Sequence, residues 1–217
     1  MTTNDIIASH SNLVEIKKPD RQLMSGLVGV FARACKGNPL LEFILGNSRR
    51  RPSIEKHYFH YMLQSGLKYG KVFALMEDGK PYALGMMVTD SDRLYSLPHQ
   101  IAAGALRLLF GCGLPVIARS LQYESAVHKI RRRHMPENHL YGYFLAIDPA
   151  KQRDAFRSSK FLIEGCRLWA KERGLVFYFE TMSERHQFYY TKHGFDTTGQ
   201  FSFDKAAITF YAMQSST

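Results

Sequence analysis

The sequence predicts one α/β domain over residues 1–217, in which helices cover a mixed β-sheet. The pair Asp78-Gly79 separates two apolar runs, which predicts a β-hairpin with a tight turn. Apolar runs at 140–147 and 175–181 flank an amphipathic stretch, and this order predicts parallel strands joined by a right-handed helical crossover. An apolar content of 45% in 217 residues suits a single domain with a substantial core.

Before the hairpin, the pattern predicts one strand and three helices. Leu13–Lys17 alternates and predicts a first strand. Asp20 is expected to cap a helix, and Asn38-Pro39 has the pattern of a helix start followed by proline at the first helical position. Ser53 is expected to open the third helix. The first of these helices has an apolar face of Leu23, Leu27, Val30, Phe31 and Ala34.

A helical insert is predicted at Pro98–Arg133, between the hairpin and the next strand. Within it, residues 101–118 contain a single charge, Arg107, and are interrupted at Gly111–Pro115. A membrane span needs about 20 apolar residues, so we expect two short buried helices here and no membrane partner. The alternative is a surface that contacts a membrane or a partner protein.

The last third of the chain predicts two strands around a long helix, then a short helix and a closing antiparallel pair. The long helix ends before Gly174, and the short one spans about 185–193. The closing strands are predicted at 201–203 and 207–213. The apolar stripe of the long helix is Ala155, Ser159, Leu162, Ile163, Cys166, Trp169 and Ala170.

The net charge of +10 suits an anionic ligand such as a nucleic acid, an acidic lipid or a phosphate-rich cofactor. The densest cationic run, Lys129–His134, is interpreted as a solvated helix end that complements the helix dipole. It comes with no nucleic-acid-binding motif, so no nucleic-acid partner is expected. The sparse cysteines indicate neither disulfides nor zinc, and residues 1–11 lack a signal peptide's apolar core, so a cytoplasmic location is expected.

The junction after the strand at 140–147 is the most informative place for function. Unpartnered N–H groups at a helix N-terminus form a natural anion site. Lys151, Arg153 and Arg157 add positive charge there. This combination suits a pyrophosphate.

Two segments carry a resemblance to a known family. Phe144–Pro149, followed by Gln152 and a helix, resembles the cofactor motif of the GNAT acetyltransferase superfamily. Phe179–Thr181 with Phe188–Phe195 resembles its second signature. The resemblance covers roughly 139–213. It implies a mostly antiparallel central sheet flanked by helices, acetyl-CoA as co-substrate, and transfer of an acetyl group to an amine of a small molecule or a protein.

The resemblance also implies roles for particular residues. Leu145 and Ile147, with Ala146 between them, would hold the pantetheine arm through backbone groups. Tyr190 would protonate the leaving thiolate, because a phenol is protonated at neutral pH. His186 stands where the family commonly has asparagine, and it would contribute to cofactor binding. The pyrophosphate would be wrapped by Gln152, Arg153, Asp154, Ala155, Phe156, Arg157 and Ser158.

Three of these positions depart from the family pattern. Ala155 and Arg157 stand at the diagnostic small-residue positions, and Arg153 at another position that is often glycine. Glycine there lets the backbone approach phosphate closely. An alternative function is therefore a non-catalytic relative that binds CoA or another ligand as a sensor or interaction module.

Other candidate groups have simpler alternatives. Glu180 could act as a base, directly or through water, or could hydrogen-bond neighbouring backbone. Glu124 and His128 are interpreted as an exposed helix pair. Tyr190 could simply pack under Phe195.

No metal site is expected, because His57 and His60 lack a third ligand in the pattern. A partly aromatic acceptor pocket is expected from the first helices, the insert and the closing strands. The oligomeric state is left open, although the apolar insert could contribute to a homodimer contact. The residues expected in the pocket are Phe31, Tyr58, Tyr61, Phe110 and Phe210.

Overall fold

The computed structural model describes residues 12–89 and 96–216, with the backbone alone at Lys129 and residues 152–161. These residues contain a seven-stranded sheet in the order β1-β2-β3-β4-β5-β7-β6. Neighbouring strands in the sheet are antiparallel, except that β4 and β5 are parallel, as predicted. The strands are β1 (Leu13–Ile16), β2 (Lys71–Glu77), β3 (Lys80–Val88), β4 (His139–Ile147), β5 (Val176–Thr181), β6 (Phe195–Phe203) and β7 (Ile208–Ser215).

The helices begin at the caps that the sequence predicts. Asp20 accepts a hydrogen bond from the N–H of Leu23 at 2.7 Å, and Asn38 accepts one from Leu41 at 3.1 Å. The third helix begins at Arg51, two residues before the expected Ser53. The helices are α1 (Arg21–Ala34), α2 (Pro39–Leu45), α3 (Arg51–Tyr69), α4 (Leu97–Ala102), α5 (Ala105–Cys112), α6 (Leu114–His134), α7 (Gln152–Lys171) and α8 (Glu184–Thr191).

The sequence pattern predicts the β2–β3 hairpin better than the β6–β7 hairpin. Asp78 and Gly79 both have positive φ, 49° and 73°, which is the turn expected between β2 and β3. Strand β6 begins at Phe195, six residues before the predicted start. It is an edge strand with exposed polar residues and a bulge between Thr197 and Gly199, which hide the alternation.

The sheet is covered on both faces. One face packs against α1, α3 and α6 and holds the larger apolar cluster, with Leu27, Phe59 and Tyr178 essentially buried. The other face packs against α7 and α8, with Leu162 and Phe195 buried. We call these the first and second faces. Since β4 supplies side chains to both, its predicted double burial is confirmed.

The insert forms three helices where two were expected. The predicted break is present at Gly113, with φ of 83°, and a second one lies at Gly104, with φ of 102°. Helix α5 buries Leu108 and Cys112 against α3, but its opposite side is open, and Phe110 is 83% exposed. The expectation that these helices are buried is therefore correct for one side only. In the described residues, no helix is long and apolar enough to cross a membrane.

Gly142 tests the packing between β4 and β5. A Cβ atom there would lie 2.9 Å from the Phe177 ring and 3.1 Å from Cβ of Phe179, both of which are buried. We expect Gly142→Ala to lower the free energy of unfolding by about 1–3 kcal/mol through overpacking. Gly85→Ala is the matched control, since its nearest neighbour would be 3.7 Å away, and we expect a change below about 1 kcal/mol. Urea unfolding measures both. Equal losses would contradict the packing argument.

Candidate active site

A fork opens between the two parallel strands. β4 pairs with β5 only from His139 to Gly142, although β4 continues to Ile147 along β3. The N–H of Asp148 donates to the carbonyl of Tyr82 at 2.8 Å, so it points toward β3. Backbone groups alternate in direction along a strand, so those of Ile147 and Leu145 point into the fork and those of Ala146 toward β3.

A one-residue bulge sets which side chains face each side of the fork. Gly142 pairs with Met87 and Phe144 with Met86, which leaves Tyr143 as the extra residue. Tyr143 and Phe144 consequently both pack on the first face, and Leu145 and Ile147 pack on the second. A regular strand would have reversed the last two.

The turn from β4 into α7 is held by ion pairs. Asp148 Oδ2 accepts from Arg33 Nε at 2.8 Å and Nη2 at 2.7 Å, and its Oδ1 accepts from the N–H of Ala150 at 3.1 Å. The hydrogen bond from Arg33 holds the pKa of Asp148 below its ordinary value. Lys151 Nζ lies 2.5 Å from Glu77 Oε2. Lys151, one of the three cations expected near a phosphate, is therefore already in an ion pair.

Helix α7 begins at Gln152, directly after this turn. Its first N–H groups therefore lie at the carboxyl end of β4, beside the open end of the fork. The side chains of residues 152–158 lie outside the described part of the chain. The roles given to Gln152, Arg153, Asp154, Ala155, Phe156, Arg157 and Ser158 accordingly stay predictions.

Tyr190 lies on the second face, under the end of the fork. Helix α8 is capped by Ser183, whose Oγ accepts from the N–H of His186 at 3.3 Å. The Tyr190 ring is half-buried, with centroids 4.8 Å from Phe179 and 6.0 Å from Phe195. Burial raises the pKa of Tyr190 to about 12, so its phenol stays protonated at neutral pH. The packing role and the acid role are therefore compatible.

His186 lies on the same helix, with its ring centroid 6.3 Å from that of Tyr190. Its residue is exposed overall, but neighbouring atoms desolvate the ring. Desolvation and the adjacent Arg185 lower the pKa of His186 from its ordinary value. The imidazole is accordingly neutral at physiological pH, and its assignment to the cofactor stays a prediction.

A charged network occupies the first face at the same point. Glu180 Oε1 accepts from Arg131 Nε at 2.8 Å and from the Tyr178 hydroxyl at 3.1 Å, and its Oε2 accepts from the Tyr141 hydroxyl at 2.7 Å. Arg131 is only 3% exposed. The partners of Glu180 are thus side chains, and the interpretation that it hydrogen-bonds neighbouring backbone is wrong.

Arg131 extends the network along α6. Its Nη1 lies 3.3 Å from Glu124 Oε2, and its Nη2 donates to the Tyr123 hydroxyl at 3.2 Å. Two sequence-based interpretations are therefore wrong. The basic run at 129–134 is not simply a solvated end, since Arg131 faces inward, and Glu124 and His128 are half-buried rather than exposed. Burial raises the pKa of Glu124, although Arg131 opposes the shift.

Sequence spacing contains a signal for Arg131 that the charge run conceals. Val116, Tyr123, Val127 and Arg131 are all buried and follow helical spacing along one face of α6. An arginine on that stripe predicts a buried partner. Its identity, Glu180, depends on contacts 49 residues apart in the chain and is not readable from local pattern.

The residues expected to line an acceptor pocket are only partly together. Tyr58 and Tyr61 are half-buried near Glu124, whose charge contributes, after burial, to raising the pKa of both phenols. Phe31 and Phe210 are buried core residues, with Phe31 stacked 4.5 Å from Phe59. Phe110 is placed wrongly by the prediction, because it lies on the outer side of the insert. Among the described side chains, no three potential metal ligands cluster, and His57 Nδ1 lies 2.8 Å from the Ser53 carbonyl.

Comparison with known structures identifies the fold as that of the GNAT acetyltransferases. A Corynebacterium glutamicum acetyltransferase of the group 'histone acetyltransferase HPA2 and related acetyltransferase' aligns with a TM-score of 0.67. The identity is 14%, over 94% of this chain and 95% of that one. The C-terminal condensation domain of Ebony, bound to β-alanyl-dopamine, aligns with a TM-score of 0.61 and 9% identity over 94% and 98%. A polyamine N-acetyltransferase from Drosophila melanogaster, which forms N-acetylagmatine, aligns with a TM-score of 0.55 and 16% identity over 94% and 100%.

The sequence itself is more divergent. No family profile matches the chain, and no curated protein matches it in sequence. At identities of 9–16%, the structural likeness defines the fold, and function must be argued from the site.

The network around Arg131 makes a testable contribution to stability. Arg131→Met leaves two carboxylates without their buried cation, and we expect a loss of about 3–5 kcal/mol in the free energy of unfolding. A folded-state pKa above the unfolded one gives stability that is complete at low pH and lost as pH rises through the folded value. Since removing Arg131 raises the pKa of Glu124 further, the loss should be larger at pH 8 than at pH 5.

Urea unfolding at the two pH values measures this loss, with Arg133→Met as the matched control. Arg133 is an exposed arginine two positions further along α6, and its substitution should change stability little. A small or pH-independent loss in Arg131→Met would mean that the network contributes no buried ion pair.

Proposed function

We propose that the protein is an acetyl-CoA-dependent N-acetyltransferase that acetylates an amine of a small molecule or a protein. The fork is the observation that carries the proposal. Leu145 and Ile147 direct backbone groups into it, and a strand edge of this kind suits the amide-bearing pantetheine arm. The N-terminus of α7 follows at once and suits the pyrophosphate.

The structural comparisons support the acyl-transfer class. The aligned proteins include acetyltransferases, and two of those aligned above are connected with amines, agmatine in one and a dopamine derivative in the other. The acceptor of this chain is accordingly proposed to be an amine. Its further identity depends on the first face of the fork, where Tyr58, Tyr61 and Glu124 lie.

The proposed reaction requires few groups. A neutral amine attacks the thioester carbonyl, so a C–N bond forms while the C–S bond breaks. The leaving CoA thiolate takes the phenolic proton of Tyr190, and the amine gives up its proton to a base or to water. Bound reactants supply much of the rate through proximity alone. The second face thereby provides the acid, and the first face receives the amine.

Glu124 is the better candidate for the base. Glu180 already accepts hydrogen bonds from Arg131, Tyr141 and Tyr178, so its oxygens are engaged. The Glu124 side chain is 30% exposed at the outer end of the network, where an amine can reach it. Its raised pKa makes it a stronger base than an ordinary carboxylate, and its charge attracts a cationic amine.

Tyr190→Phe tests the proposed acid. We expect kcat to fall about 10²- to 10⁴-fold, the usual contribution of general acid catalysis, while the Kd for acetyl-CoA changes little. Thiol release under single-turnover conditions gives the chemical rate, and calorimetry gives the Kd. Tyr189→Phe is the matched control, because its ring packs on His193, with centroids 4.3 Å apart. An unchanged chemical rate in Tyr190→Phe would remove Tyr190 from the mechanism.

Arg157→Gly tests the departure from the family pattern. An arginine side chain can swing away from the N-terminus of α7 and return as a bidentate phosphate partner. We therefore expect weaker CoA binding in the variant. Titration by calorimetry at fixed ionic strength measures it. Lys171→Gly removes one charge about 21 Å further along α7 and should leave Kd unchanged. Clearly tighter binding in Arg157→Gly would show an obstruction and would favour the non-catalytic alternative.

A further inference from the structure

Each of the three helices of the insert exposes large apolar side chains, and we call this set the ridge. Its members are large, hydrophobic and roughly half to four-fifths exposed, from 47% at Ile101 to 83% at Phe110. Single exposed apolar side chains are ordinary, but a contiguous set marks an interaction surface. The ridge consists of Leu97, Ile101, Leu106, Phe110, Leu114 and Leu121.

Helix geometry explains why the ridge residues of each helix lie on the same side of that helix. Leu108 and Cys112 face α3, so Leu106 and Phe110 point the opposite way on α5. On α6 the exposed positions continue through Leu114 and Leu121, which lie seven residues apart. Leu97 and Ile101 are four residues apart on α4, so each of three consecutive helices exposes a pair of ridge residues.

Specific contacts hold the inner side of the insert. Cys112 Sγ donates to the Ile54 carbonyl at 3.4 Å. Lys68 Nζ donates to the Ala102 carbonyl, and the Tyr69 hydroxyl donates to the His99 carbonyl, each at 2.9 Å. These hydrogen bonds fix the inner side of the insert against α3. The exposed position of the ridge is therefore set by specific contacts.

The surroundings of the ridge are basic. Between residues 97 and 122 the sequence contains no acidic residue. Arg107 is exposed on α5, and Arg50 donates to the Gly111 carbonyl at 3.5 Å, next to the ridge. After burial, the positive charges of Arg107 and Lys56 contribute to lowering the pKa of His60, so these two cations lie near it on one flank.

This charge decides between two occupants. A second copy packed ridge to ridge would bring a second set of basic residues to the same interface, and like charges oppose association. An anionic bilayer surface accepts both features, since its headgroups attract the cations and its acyl boundary takes the apolar side chains. We propose that the ridge docks the protein on an anionic lipid surface, without crossing the bilayer.

Vesicle sedimentation tests the proposal with the intact chain. We expect binding to phosphatidylcholine vesicles that contain 30% phosphatidylglycerol, and a decrease of roughly tenfold or more when salt is raised from 0.1 to 0.5 M. Leu106→Ser with Phe110→Ser should reduce the partition coefficient by at least about tenfold, because two exposed apolar side chains no longer enter the interface. Arg107→Glu should also reduce it.

Phe188→Ser is the matched control. Phe188 is 62% exposed but lies on α8, outside the ridge, with Lys192 Nζ 4.3 Å from its ring centroid. Its substitution should leave vesicle binding unchanged, and thermal unfolding shows that each variant is folded. The proposal is overturned if the unsubstituted protein does not bind the vesicles, or if the ridge variants bind them as well as Phe188→Ser does. It is also overturned if sedimentation velocity finds a dimer that the ridge substitutions abolish.

Discussion

The candidate site depends on the partial pairing of β4 with β5. Four residues of β4 bond to β5, and the rest of that strand pairs with β3 alone. Because the strands separate after Gly142 and Phe179, a sheet that is otherwise continuous acquires an opening between its two faces. The crossover helix must begin at that opening, since parallel neighbours require a connection that returns along one face. Backbone polar groups and a helix terminus meet there as a consequence of topology.

The first and second faces contribute different chemistry to this opening. Phe179 and Glu180 are consecutive, so they point to opposite faces, the former toward Tyr190 and the latter toward Arg131. The phenol of Tyr190 is protonated at neutral pH, and burial raises its pKa further. The carboxylate is accommodated because a buried guanidinium and two phenols satisfy it. A proton donor and a region of negative charge thus lie on either side of one strand.

The sequence predicts the order of strands and helices well, because each depends on local rules. The caps at Asp20 and Asn38, the turn at Asp78-Gly79 and the parallel pairing after residue 139 all follow from nearby residues. The contacts inside the site do not follow from nearby residues. The Arg131 partner is set by packing across distant segments, and the exposure of Phe110 depends on which side of α5 meets α3. A bulge of one residue in β4 likewise leaves little local trace.

Helix α6 exposes Leu121 and buries Arg131. Because both orientations depend on the number of residues between them, the length of this part of the helix is constrained in evolution. One inserted residue between them rotates one end by about 100° relative to the other, which would turn either the arginine out or the leucine in. An insertion of seven residues changes the rotation by only about 20° but displaces Arg131 by about 10 Å along the axis, away from Glu180. The ten-residue separation is therefore expected to tolerate substitutions far better than changes of length.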